Sequence, residues 1–170
     1  RRQRQMCIRD RALIQGTGPG QDLRLYPEKL ESCRRFANKV WNAGRYILMN
    51  IPSGTSLDPP QNVQNEAARW LLHELDLLIG KTRQGLEAFR LSEVIDNLRS
   101  FFWGTFCDWY LEMDKRPDRN EEDNQVLAYA LSTQLKLLHP YVPFVTEALW
   151  ENLGQDEMLA KAPWPESQGY

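Results

Sequence analysis

At 170 residues, with 42% hydrophobic and 26% charged side chains, the chain is long enough for one domain with a sizeable core and too apolar to be disordered. A formal net charge of -2 excludes a broad basic cloud, so any contact with nucleic acid must rest on a local arrangement of donors. Three cysteines (Cys7, Cys33, Cys107) without C-x-x-C spacing argue against a disulfide framework and a zinc site and fit a reducing compartment. No apolar run approaches the ~18 residues of a membrane span, and no signal-peptide pattern is present. A cytoplasmic protein that makes no membrane contact is expected.

Residues 1–11, RRQRQMCIRDR, carry five arginines without apolar periodicity. The run has two readings: a basic arm for nucleic acid, or a non-native stretch resembling translated sequencing-adapter read-through. The second is preferred, and these residues are set aside. Residues 12–26 contain G-T-G-P-G, which breaks any helix and lacks the G-K-[ST] ending of a phosphate loop; they read as a connector.

From Pro27 the pattern becomes helical. Leu30, Cys33, Ala37, Val40, Trp41, Gly44, Ile47 and Leu48 recur at three- and four-residue spacing and predict a helix over 27–49 with one buried face. The loop IPSGTSLDPPQ ends it. A second helix is expected over about 63–89, its apolar positions Ala67, Trp70, Leu71, Leu75, Leu78, Ile79, Leu86 and Phe89, weakened by Gly80 and Gly85 at roughly 1 kcal/mol each. Ser92 is the expected N-cap of a third helix that ends at Lys115 and Arg116. A fourth spans 121–138, and a short fifth runs from Pro143 to a stop at Gly154. The proline-rich 155–170 reads as an extended tail. Short connections between amphipathic helices predict an all-α, largely antiparallel bundle of four to five helices over 27–154.

The polar face of the first helix is unusual. Arg35, Asn38, Lys39, Asn42, Arg45 and Tyr46 share one side, and no acid lies between Ser32 and Asn50. Solvated helix faces commonly mix Lys with Glu. Amides, guanidinium groups and one ring at helical spacing instead suit single-stranded nucleic acid, whose bases offer edges to bond and faces to stack on. The alternative is a plain polar face that lacks acids, and periodicity alone does not separate the two.

Catalytic chemistry is not legible. His73 and His139 have no cysteine at ligand spacing, so no metal site is expected. Cys107, in an aromatic run, reads as a core thiol. Asp108 and Glu112 are read as pairing along the helix surface with Lys115 and Arg116. No G-x-S-x-G, H-E-x-x-H or Walker sequence occurs. The chain reads as a binding module with no catalytic residues of its own.

Six blocks in order, GTGPGQDLRL, RRFANKVWNAGRYIL, RWLLHELD, FFWGTFCDWYLE, LLHPYVPFVTEALWENL and APWPE, together resemble the valyl-tRNA synthetase family over about residues 12–166. The N-K-x-W-N-A-x-R pattern with G-Q-D-L-R is more like the valine enzymes than their isoleucine and leucine sisters, which share the helical domain. The resemblance implies an anticodon-binding helical bundle of a class I aminoacyl-tRNA synthetase, with tRNA (valine isoacceptors) as partner. Lys39, Asn42, Arg45 and Tyr46 fall on motif positions that face the anticodon loop, with Asn38, Arg35 and Arg24 as neighbours. On this reading Asn42 and Arg45 bond base edges, Lys39 holds a phosphate and Tyr46 stacks, while Trp41, Trp103, Trp109, Trp150 and His139 belong to the core. The family activates valine with ATP and magnesium through H-I-G-H and K-M-S-K-S sequences, edits mischarged tRNA in a separate domain, and carries a C-terminal coiled-coil arm. None of these lies in the 170 residues, so the chain is expected to be a monomeric fragment that packs on the catalytic domain of the same polypeptide. An isoleucine or leucine ligase domain and a helical protein-interaction bundle are the alternatives.

Overall fold

A computed structural model describes residues 27–116 and 118–170; Arg24 and the expectations for 1–11 and 12–26 lie outside them. Five helices make up the fold, and no strand occurs among the described residues. They are α1 (Pro27–Asn50), α2 (Glu66–Glu87), α3, α4 (Glu121–Leu138) and α5 (Pro143–Asn152). α3 is composite. It is α-helical over Leu91–Ser100, π-helical over Phe101–Tyr110, and closes with one α turn, Leu111–Met113.

The ends are set by local chemistry. α2 starts three residues later than its apolar pattern suggests, because the Asn65 side chain accepts a hydrogen bond from the Ala67 N–H at 3.0 Å and caps the helix. α4 opens with a full capping box between Asn120 and Asp123, and α5 with Pro143 in its first turn. The expected cap at Ser92 is not used. The chain turns at Phe89, which takes a left-handed φ of 56°, and the Arg90 N–H bonds back to the Gly85 carbonyl at 2.8 Å. α3 therefore starts at Leu91, and Ser92 sits inside its first turn. α3 ends at Met113, not at Lys115 and Arg116, which lie in the following turn.

Successive helices run antiparallel. Gly85 of α2 meets Val94 of α3 beside their tight connection, while at the far end Asn65 and Ala67 line one cleft with Tyr110 and Met113. Contacts between α1 and α3 advance together: Arg35 lies near Arg99 and Trp103, Lys39 near Trp103 and Asp108, and Tyr46 near Lys115. These two helices are parallel. The core joins Phe36 of α1, Leu71, Leu72 and Leu75 of α2, Phe102, Phe106 and Tyr110 of α3, and Leu127, Leu131 and Leu135 of α4, all essentially without solvent contact. Each of these Leu and Phe side chains contributes about 1.5–3 kcal/mol relative to exposure. Phe36 meets Phe102 edge to face at 5.8 Å, which sets α1 against the π-helical segment.

The first turns of α2 and α4 and the last turns of α1 and α3 converge on a buried polar junction. Asp123, with no exposed surface, accepts hydrogen bonds from Asn65 Nδ2 (2.8 Å), Arg116 Nη2 (2.5 Å) and the Asn120 N–H (3.1 Å). Arg119 pairs with Asp114 at 3.0 Å, and donates to Asn124 Oδ1 at 2.7 Å and the Asn50 carbonyl at 3.4 Å. This junction fixes the loop between α3 and α4 against the end of α1.

The tail is extended apart from a 3-10 turn at Leu159–Lys161, and it is strapped to the bundle. The Asp76 carboxylate of α2, almost fully buried, accepts the backbone N–H groups of Gln168, Gly169 and Tyr170 at 2.6–3.1 Å. Tyr170 donates its hydroxyl to the Pro60 carbonyl at 2.9 Å. His73, read as lying among leucines, is exposed and bonds the Tyr170 carbonyl oxygen at 2.8 Å through Nδ1.

The core assignments hold in part. Trp150 and Cys107 are buried, and burial pushes the Cys107 thiol up to about 12 against the opposing Lys39 charge, so it stays protonated. Trp41 and Trp103 are half-buried. His139 is half-buried with Nδ1 at 2.9 Å from Thr146 Oγ1, and burial lowers its pKa despite the nearby Glu147. Trp109 is not a core residue: it is 66% exposed. Trp70 and Phe89 also lie outside, while Phe36, Ala43, Ala68 and Leu72 are buried. Every residue of the stretch FFWGTFCDWY is aromatic, small or neutral except Asp108, so it offers no polar phase by which the outward positions can be read.

Candidate nucleic-acid interface

α1 places the six predicted residues on one side in two tracks. Its core face carries Cys33, Phe36, Val40, Ala43, Gly44 and Ile47. At 100° per residue, Asn38, Asn42 and Arg45 fall nearly opposite that face, and all three are exposed. Among the described residues, their side chains form no hydrogen bond or ion pair. This crest presents two amides and a guanidinium group with their bonding capacity unspent.

Lys39 and Tyr46 lie on the second track, in the seam with α3, and are half-buried. The Lys39 ammonium is 3.2 Å from Asp108 Oδ1 and 5.2 Å from the centre of the Trp103 ring. Asp108, in the π-helical segment, thus reaches across to α1 rather than pairing along its own helix with Lys115. The other expected pair does form: Lys115 Nζ is 2.6 Å from Glu112 Oε1. Lys115 also sits 5.9 Å from the centre of the Tyr46 ring, an attractive cation–π placement. Arg35, at the other end of the track, is exposed and loosely paired with Glu31 at 3.4 Å. It lines an open cleft of about 610 Å³ with Pro27, Glu28, Glu31, Ser32, Arg99 and Trp103.

Six of the seven predicted residues are thereby brought to one side of one helix, and Arg24 lies outside the described residues. Sequence reasoning missed the contribution of α3, namely Trp103, Asp108 and Glu112, and of Lys115 in the turn that follows it. A signal exists for Asp108, the lone acid in a ten-residue aromatic stretch, but spacing along the chain points it to the following cations, Lys115 and Arg116. The surface mixes signs along its length, so it can hold a polyanion by directional bonds and a few cations, not by bulk charge. No group of three or more metal-ligating side chains occurs among the described residues, and none of their helices is long and apolar enough to cross a membrane.

The family described as the anticodon-binding domain of tRNA ligase matches residues 68–170. Among individual relatives, the valine–tRNA ligase of Carboxydothermus hydrogenoformans is 38% identical over an alignment that covers 92% of the chain and 18% of that protein. The valine–tRNA ligases of Listeria innocua and Bacillus subtilis are 40% and 39% identical over 91% and 90% of the chain. Alignments of that extent include α1, which precedes the family match. The chain spans 18% of the length of these curated relatives. Among solved structures, the LeuRS of Agrobacterium radiobacter K84, in a ternary complex with tRNA and LeuAMS, has the same fold, with a TM-score of 0.80 over 95% of this chain and 19% of that one at 23% identity. The chain belongs to the anticodon-binding domain family of tRNA ligases.

Proposed function

We propose that this chain reads the anticodon stem and loop of valine tRNA for a valine–tRNA ligase, the crest of α1 being the reading surface. The carrying observation is that Asn38, Asn42 and Arg45 stand exposed without partners among the described residues while Lys39 and Tyr46 flank them. Asn42 and Arg45 bond base edges, Tyr46 offers a stacking face, and Lys39 meets a phosphate, with Asn38 and Arg35 extending the contact. The names of the relatives support valine as the amino acid. On this reading the parent enzyme joins valine to its tRNA with ATP and magnesium in a catalytic domain on which this bundle packs, and it works as a cytoplasmic monomer. Substituting both Asn42 and Arg45 with Ala tests the surface. Loss of two charge-assisted or directional contacts predicts a fall in tRNA binding of roughly 2–4 kcal/mol with the helical fold intact. Unchanged binding in the folded double variant overturns the assignment and favours a helical protein-interaction bundle.

A further inference from the structure

Two cations that border the α1 crest are held by carboxylates of α3. Lys39 pairs with Asp108, and Lys115 pairs with Glu112. Both pairs are open to solvent, with side-chain exposures of 32% and 52% in the first and 47% and 60% in the second. Exposed pairs of this kind contribute little net stability, so a phosphate oxygen can replace the carboxylate oxygen with little loss. An ammonium is a point charge with three donors and no fixed fork, so it tolerates the exchange without a change of geometry. The ammonium groups are also steadied by something other than their anions: Trp103 lies beneath Lys39 and Tyr46 beneath Lys115. Lys115 has a further restraint, since the loop that carries it is pinned by the Arg116–Asp123 and Arg119–Asp114 pairs.

We propose that the outer edge of α3, with the turn that follows it, is the second bank of the nucleic-acid site: Lys115 of that turn, together with Lys39 of α1, binds RNA phosphates, and Glu112 and Asp108 of α3 are stand-in anions that the phosphates displace. This rests on the anticodon-reading assignment of α1 and adds to it a named contact and a named exchange. Lys39 and Tyr46 are seven residues apart, roughly 10 Å along the helix axis, so the two cations reach different phosphates of one strand. Because the exchange happens whatever the base sequence, the α3 bank sets affinity, while Asn42 and Arg45 set which RNA is held.

The test is binding of this chain to a labelled valine anticodon stem-loop at two salt concentrations. The variants are Lys115→Gln, Asp108→Asn with Glu112→Gln, and a control, Glu151→Gln, on the exposed face of α5. Lys115→Gln is expected to weaken binding about three- to tenfold and to flatten the salt dependence by roughly one ion, with Lys115→Arg restoring both. The double carboxamide variant is expected to tighten binding about two- to tenfold, with unchanged preference among anticodons, while Glu151→Gln changes nothing. Unaltered affinity and salt slope in Lys115→Gln, weaker binding in the double variant, or an equal gain in the control would overturn the second bank. The Asn42→Ala, Arg45→Ala variant run alongside keeps the two readings apart. If it binds like the wild type, the α1 assignment itself fails; if it loses binding while the α3 variants do nothing, only the α3 bank fails.

Discussion

Asp114 shows how one side chain can carry a measurable signature of this fold. It is almost fully buried at the polar junction, with Arg119 as its ion partner and one carboxylate oxygen, Oδ1, without a hydrogen bond. Burial, opposed by Arg119 and reinforced by Asp123, pushes its pKa from the ordinary 3.8 to about 6. Between those values the native protein holds the proton more tightly than the unfolded chain does. Its contribution to stability is therefore full below about pH 4 and is lost as pH rises through 6. Asp123 behaves oppositely. Burial alone would raise its pKa, but the hydrogen bonds from Asn65 and Asn120 and the Arg116 pair outweigh it and hold the carboxyl below the usual range. Its contribution is present above that range and is lost as pH falls. In Asp114→Asn the first component disappears and the second remains. Urea titrations from pH 4.5 to 7.5 should show the stability of the wild type, relative to the variant, falling by on the order of 2 kcal/mol, with most of the fall complete by about pH 6 and a plateau above it. A difference that stays flat with pH would contradict this account of the junction.

Two glycines of α2 test how its packing was built. Both interrupt an otherwise strong helical pattern, and the sequence assigns them the same cost. The structure separates them. A Cβ at Gly80 would meet nothing within 4 Å, whereas at Gly85 it would run into Val94 Cγ2 of α3. Val94 is buried and β-branched, so it has little freedom to move aside. Gly80→Ala should stabilise the protein by about 1 kcal/mol, and Gly85→Ala should destabilise it by about 1–3 kcal/mol, both read from chemical denaturation midpoints. Equal effects would mean that the α2–α3 contact is not as close as described. Such contrasts mark the limit of what the sequence shows. The three- and four-residue spacing of Cys33, Val40, Gly44 and Ile47 located α1 and its outward stripe, and Pro143 marked the start of α5. Asn65 lies two residues inside the start expected for α2, so the helix start depends on a cap that periodicity does not register. The π-helical turn of α3 changes the angular phase partway along the helix, so α-helical spacing misplaces Trp109 in the core and Asp108 beside a partner of its own helix. Such wide turns are rare and cluster at functional sites, and this one carries the residues that hold Lys39.

The molecule as a whole has a net charge of -2, and yet one of its helix faces has no acid along nearly five turns. The contrast is resolved by the bundle. The junction of Asp114, Arg116, Arg119 and Asp123 spends its charges internally, and α3 neutralises the seam cations until something replaces its carboxylates. What stays open on α1 is a set of directional groups rather than an attractive potential. Binding should accordingly be modest in strength and selective in kind, because a small polar surface retains little surplus after the cost of ordering both partners. The extended tail, tied by Asp76, closes the side of the bundle formed by α2 and the α1–α2 loop and leaves the α1 crest uncovered. The most direct measurement is the affinity of this chain for valine tRNA and for a matched tRNA differing only in its anticodon, at low and at moderate salt. The proposed reading predicts a preference for the valine anticodon that persists when salt is raised, since base contacts are not screened as phosphate contacts are. Binding that ignores the anticodon and vanishes with salt would contradict the assignment of Asn42 and Arg45 as readers of bases.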